Sequence, residues 1–315
     1  MAESLFSNPS DLNDLLARLE VSVLQLADCL IGHSWRMSFP ASQMAGLHYV
    51  ISGSGEMTVD SAVVPLTPST LVIVPPNQTF EICVPVRRRG LSTRKVVSPD
   101  ASPTSSGSLQ RLAAGDEKGA LIMLCGYFRA CFGVSVDLFS TLLSPIVDQL
   151  GYSDQATFAL EALSAELANP RLGVHSMTTS LLKQVLVELV RRSFRAPFPI
   201  TEKFLMLSDR EIVHVFARMV KEPRSSFSTL TLSEMAGLSR SVFMARFTKA
   251  LRHSPMGVLR QLRMKEASLL LADEQLTIED VAQAVGYLSR SSFYRAFSEV
   301  HGTDPSTFRS HRSGR

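Results

Sequence analysis

The chain has 315 residues, 45% of them hydrophobic, with 32 Lys and Arg against 29 Asp and Glu, enough length for two domains that each bury a core. No apolar run approaches the roughly 18 residues that cross a bilayer, and the N-terminus carries no basic-then-apolar signal pattern, so a membrane-embedded or exported class is not expected. Charge divides unevenly: residues 1–202 hold 15 basic and 18 acidic side chains and residues 203–315 hold 17 and 11, a basic half of the kind that neutralises nucleic-acid phosphates.

In chain order, short alternating apolar runs occupy 34–39, 47–51, 56–59, 71–74 and 80–84. Gly53, Gly55, Pro65, Pro68, Pro75, Pro76 and Asn77 punctuate them, the pattern of strands joined by tight turns. A small barrel or sandwich is expected. Trp35, Met37, Phe39, His48, Tyr49 and Phe80 either line a small-molecule pocket in it or fill it as plain core. Residues 85–118 carry Arg87, Arg88 and Arg89 and a Ser/Pro/Thr-rich stretch, a composition that cannot bury a core and reads as a mobile loop. An apolar strand resumes over 119–128. Cys29, Cys83, Cys125 and Cys131 lack the close pairing of zinc or thioredoxin sites and read as reduced core thiols of a cytoplasmic protein.

From 137 to 194 the apolar period becomes helical. Leu138, Leu142, Leu143 and Ile146 mark one helix, and Phe158, Leu160, Leu163 and Leu167 a second. A third carries Leu181, Leu182, Val185, Leu186, Leu189 and Val190, a stripe that suits either intradomain core or a dimer face. Residues 195–199 hold two prolines and read as a link.

The C-terminal part contains an internal repeat. Ser228 precedes Gly237 by nine residues, as Thr277 precedes Gly286. Ser239 is followed at four and eight by Phe243 and Phe247, and Ser289 by Phe293 and Phe297, with Pro255 and Pro305 eight residues further on. The first hydroxyl caps a short helix, the Gly supplies a sharp turn, the second Ser caps a second helix, and the paired Phe face the core. Such a unit is a helix-turn-helix, and two of them imply a chain that reads duplex DNA. The face left for the groove presents Arg240, Ser241, Met244, Ala245 and Lys249 in the first copy. In the second it presents Arg290, Ser291, Ser292, Tyr294 and Arg295. Arginines there can grip guanine edges bidentately or meet phosphates, and the hydroxyls can serve base or backbone. Between the copies, Leu259, Leu262, Leu270 and Leu271 keep helical spacing. A helix there, about 27 Å long, holds the reading heads at a separation comparable to the roughly 34 Å repeat of DNA.

Across 209–312 the sequence resembles the AraC/XylS family of bacterial transcription regulators. The match is most specific at Leu262-Arg-Met-Lys-Glu-Ala-Ser-Leu-Leu270 and from Leu276 to Tyr287, with Phe293-Tyr-Arg-Ala-Phe297 and Pro305-Ser-Thr-Phe-Arg309 also similar. The N-terminal half resembles the cupin-type sensor attached to many such regulators. The resemblance implies an α+β chain with a cupin-like β-barrel and helical dimerisation segment over 1–194. A linker over 195–207 and an all-α double helix-turn-helix domain over 208–315 follow. It also implies a homodimer bound to double-stranded promoter DNA, an activator that contacts RNA polymerase, and a small-molecule effector in the barrel.

Two positions depart from the family pattern. Relatives often carry Arg where this chain has Ala245, the position matching Arg295, which shifts expected sequence specificity toward the second copy. Metal-binding cupins use a His-x-His pair, a nearby Glu and a later His, whereas here Val50 stands two residues after His48 and Phe80 stands where the later His is expected. A metal-dependent cupin enzyme would need ligands among His33, His48, Glu56 and Glu81, which lack that spacing; no catalytic residue, metal or cofactor is expected. An effector-independent dimeric regulator is the other alternative.

Overall fold

The computed structural model describes residues 9–85, 94–97, 110–115, 120–193, 204–207 and 209–313. Two compact units emerge: one joins Glu20–Ala130 to Leu142–Phe204, and the other joins Met1–Leu19, Cys131–Thr141 and Leu205–Arg315.

In the first unit the strands are β1 (Glu20–Ile31), β2 (Trp35–Phe39), β3 (Ala45–Gly53), β4 (Gly55–Val59), β5 (Ala62–Leu66) and β6 (Thr70–Val74). They continue as β7 (Phe80–Cys83), β8 (Arg94–Val97), β9 (Gln110–Ala114) and β10 (Leu121–Phe132), whose last two residues enter the other unit with β11 (Val136–Asp137). β12 (Ile146–Gln149) completes the set. One sheet runs β12-β6-β3-β10-β1-β9 and the second β5-β4-β7-β2-β8. Alternate residues of both converge on one core, including Ile31, Met37, Val50, Met57, Val72, Phe80 and Met123, as a pleat of period two requires.

Two expectations are corrected by the structure, and one left open is resolved. Within the segment expected as a loop, Arg94–Val97 and Gln110–Ala114 are strands, pairing in parallel with β2 and β1; residues 86–93, 98–109 and 116–119 lie outside the described residues. The helix expected at 138–146 is a 3-10 turn, Leu138–Thr141, followed by β12 against β6. Pro145 lacks the amide a helix needs and pushes its predecessor toward extended backbone. The broad stripe of the third helix is intradomain core. α2 (Gln155–Ala168) packs on α3 (Val174–Ser193), α3 packs on β1, and Leu182, Val185, Leu186, Leu189 and Val190 are buried.

The second unit is helical: α1 (Pro9–Arg18), α4 (Arg210–Lys221), α5 (Thr229–Met235), α6 (Arg240–Leu251), α7 (Pro255–Leu270), α8 (Ile278–Ala284), α9 (Arg290–His301) and α10 (Pro305–Ser313). α4 buries Ile212, Val213, Val215, Phe216, Ala217, Met219 and Val220. α1 packs along it, joined by Asp11 to His214 and Asp14 to Lys221, each at 2.9 Å. Phe132 meets Phe216 edge-on at 5.1 Å. No helix among the described residues is long and apolar enough to cross a membrane.

Candidate nucleic-acid interface

The two copies of the repeat fold alike down to single hydrogen bonds. In α5 the Ser228 hydroxyl accepts from the Thr231 amide at 3.1 Å, and Thr231 Oγ1 accepts from the Ser228 amide at 2.9 Å. In α8 the Thr277 hydroxyl accepts from the Asp280 amide and Asp280 Oδ2 from the Thr277 amide, both at 3.0 Å. Both are capping boxes that satisfy amides a helix start leaves unpaired. The Thr277 hydroxyl, which donates to Asp280 Oδ2 at 2.6 Å, and the Thr277 amide together hold the Asp280 carboxyl below its ordinary value.

Each short helix then ends on a glycine at positive φ, +64° at Gly237 and +86° at Gly286. The closing bonds match: Gly237 to Glu234 and Leu238 to Ser233 in one copy, Gly286 to Gln283 and Tyr287 to Ala282 in the other. This is the Schellman pattern, and glycine is the residue that reaches its left-handed position without strain. Ser239 and Ser289 accept from the Val242 and Ser292 amides and cap α6 and α9. Phe243, Phe247, Phe293 and Phe297 are fully buried, and the rings of each pair meet at a tilt, 5.4 and 5.7 Å between centroids.

With the phenylalanines inward, the opposite faces of α6 and α9 meet solvent. Arg240, Ser241, Ala245 and Lys249 are exposed on α6, and Met244 is partly covered. On α9, Arg290, Ser291, Ser292 and Arg295 are exposed and Tyr294 is partly covered. Arg240, Lys249 and Arg295 make no hydrogen bond or ion pair among the described residues. Arg290 instead lies over the Tyr294 ring, Cζ 5.1 Å from its centroid, and donates to Tyr294 Oη at 3.1 Å. Ser306 of α10 meets the same phenol at 2.9 Å.

A helix-turn-helix domain family matches residues 232–311 and a cupin family matches residues 11–195, more than half of the chain. A putative AraC-like transcription regulator of Streptomyces lividans is 24% identical over 313 residues, covering 95% of this chain and 98% of its own. The chain belongs to the AraC/XylS family of transcriptional regulators. RclR of Escherichia coli strain K12, described as an RCS-specific HTH-type transcriptional activator, is 21% identical over 288 residues, 90% of each chain. The crystal structure of ToxT from Vibrio cholerae O395 covers 95% of this chain and 100% of its own at 8% identity, with a TM-score of 0.35, too loose a likeness to carry argument.

This AraC/XylS regulator has a DNA-binding helix-turn-helix domain and a cupin-type N-terminal domain. Around α6 and α9 lies an ionic frame that the sequence pattern does not disclose. Arg246, next to Ala245, turns inward and donates to Asp209 Oδ2 at 2.7 Å, Asp209 Oδ1 at 2.6 Å and Glu211 Oε2 at 2.6 Å. Burial pushes the Asp209 carboxyl up, but the Arg246 hydrogen bonds and the Ile212 amide outweigh it and hold it below its ordinary value. Arg260 of α7 reaches Glu299 of α9 at 2.7 Å. The one signal for Arg246 is its place directly before core Phe247; its acidic partners are distant in sequence.

In the cupin domain of this regulator, four of the six residues expected around an effector come together. Met37, Phe39 and Phe80 belong to the inter-sheet core. His48, only 1% exposed, lies 5.9 Å from Phe39 and 4.6 Å from Phe80 between ring centroids. Neither ring nitrogen of His48 has a hydrogen-bond partner among the described residues, and burial pushes its pKa down to about 3. Trp35 packs at the margin of this core. Tyr49 does not join the group: it pairs with Leu124 and Leu71, across the pleat from His48 and its partners Cys125 and Val72. Glu81 pairs with Arg36 at 2.6 Å and accepts from Ser38 at 2.7 Å. Among the described residues no three His, Cys, Asp or Glu side chains converge to hold a metal.

Proposed function

We propose that one chain lays α6 and α9 in two successive major-groove segments of a promoter. Arg240, Ser241, Met244, Ala245 and Lys249 meet the first segment, and Arg290, Ser291, Ser292, Tyr294 and Arg295 the second. The observation that carries this is the matched pair of capped helices, each with its phenylalanines inward and an exposed polar face. Bases are read more strongly by the second head, where the unpaired Arg295 can make a bidentate contact and Ala245 cannot. The chain acts in the cytoplasm as a homodimeric activator that contacts RNA polymerase, a reading carried over from the family. Half-exposed Phe158 on α2 and Met177 on α3 offer apolar surface for that pairing. The test is selection of duplexes from a random pool by the full-length chain. Enrichment of a two-segment motif supports the reading, and enrichment of a single short segment contradicts it.

His48 favours an effector over a plain dimerisation barrel. A buried ring with two unpartnered nitrogens is costly, on the order of 1–3 kcal/mol, and a ligand with a complementary donor or acceptor removes that cost. A cleft of about 520 Å³ shares Phe39 and Phe80 with the surroundings of His48. An effector must bind better to the DNA-competent arrangement than to the other. Thermal-shift screening of small metabolites tests this, with His48→Leu as control. A compound that stabilises both proteins equally does not use His48.

A further inference from the structure

One side chain of α7, the helix between the two reading heads, touches the approach to both. Arg263 Nε donates to the Pro223 carbonyl at 2.8 Å and Nη2 to the Ser225 carbonyl at 2.9 Å, both in the loop from α4 into α5. Nη1 donates to the carbonyl of Gly286 at 3.3 Å, the turn glycine of the second head. Cζ also lies 5.8 Å from the centroid of the Tyr287 ring. Arg224, in the same loop, is tied to α7 by bonds from Nε and Nη2 to Glu266 Oε1 at 2.8 and 2.6 Å.

The fit around this guanidinium is close. A Cβ on Gly286 would come within 3.1 Å of both the Arg224 carbonyl oxygen and the Arg263 guanidinium. At Gly237, the matching turn of the first head, nothing lies within 4 Å. The turn of the second head is therefore clamped, while that of the first is open. A guanidinium is a rigid plane of donors that can hold three carbonyls in one geometry, and an ammonium on a flexible stem is not.

We propose that Arg263 is a positioning residue for DNA reading. It locks the second head to the loop that leads into the first, and so sets the separation between the two DNA segments that one chain recognises. The proposal rests on the reading that both heads engage one duplex. A head held at fixed orientation meets its segment at high effective concentration once the other is bound, and loosening the brace forfeits that gain.

The test uses full-length wild-type, Arg263→Gln and Arg263→Lys proteins. The probes are the duplex that wild type selects from a random pool, the same duplex lengthened or shortened by single base pairs between its segments, and duplexes that keep one segment. The expected result is a loss of about tenfold on the intact duplex and under about twofold on single segments, with the preference for native spacing flattened. Lys does not rescue it. An equal loss on every duplex with the spacing preference intact overturns the proposal, and so does a Lys variant with wild-type spacing preference. If Arg263→Gln does not fold, Arg263→Lys decides by the same criteria. A wild type indifferent to spacing overturns the two-head reading itself; variants that keep a preference wild type shows overturn the brace alone.

Discussion

Ala245 and Arg295 occupy the same place in the repeat, and both are exposed. A bidentate arginine contact discriminates against a wrong base by about 1–3 kcal/mol, whereas a methyl group offers only apolar contact. Arg295→Ala should therefore cut discrimination between the selected duplex and single-base mismatches in the second segment by roughly tenfold or more. Ala245→Ser should leave first-segment discrimination nearly unchanged. Competition binding measures both, and equal losses from the two changes contradict unequal heads. Arg246 shows why exposure must be seen rather than inferred: one position along α6, its charge is held by Asp209 and Glu211. His48 gives a residue-scale pH prediction. Unfolded, it titrates near its ordinary 6.5; folded, near 3. Between those values the unfolded chain binds a proton that the folded chain does not. Stability is then unaffected above pH 6.5 and lost as pH falls toward 3, by at most about 5 kcal/mol from this group. His48→Leu should flatten that acid limb in denaturant titrations, and an unchanged limb would show that other groups set it.

The repeat is legible as elements because its signals are local: a hydroxyl three residues before its capping partner, a glycine at the turn, and phenylalanines four apart. Five of the six strands between Trp35 and Cys83 are legible from alternation and turn residues; β5 (Ala62–Leu66), interrupted by Pro65, is not. β8 and β9 are not, because their pairing with β2 and β1 is long-range and flanked by polar sequence. The helix expected at Leu138 fails because apolar spacing alone cannot weigh Pro145 or the pairing of Ile146 with Ile73. α1 escapes notice because its apolar side, Leu12 and Leu15, is short and interrupted by Asp11, Asn13 and Asp14. The two turns differ in packing, which yields an element-scale prediction. Gly237→Ala meets only the left-handed strain of about 1–2 kcal/mol. Gly286→Ala adds tight contacts of 3.1 Å with the Arg224 carbonyl and the Arg263 guanidinium, which must give way, and should lower the melting temperature further. Equal shifts would mean that the clamp on the second turn yields freely.

For the whole molecule, the division of charge and the repeat both point to DNA, because basic patches and helix-turn-helix spacing are written in sequence. Sequence does not reveal that residues 131–141 and α1 join the helical unit, since compactness depends on contacts between distant segments. α7, 16 residues long and so about 24 Å, links two heads that carry unequal chemistry. The central claim is that one chain reads two successive major-groove segments on the same face of the duplex. Hydroxyl-radical and base-methylation footprinting of wild-type and Arg295→Ala protein on the selected duplex tests it most directly. The predicted result is two protected segments about one helical turn apart on one face, with base protection lost in only one of them when Arg295 is removed. A single protected segment, or two on opposite faces, would contradict it.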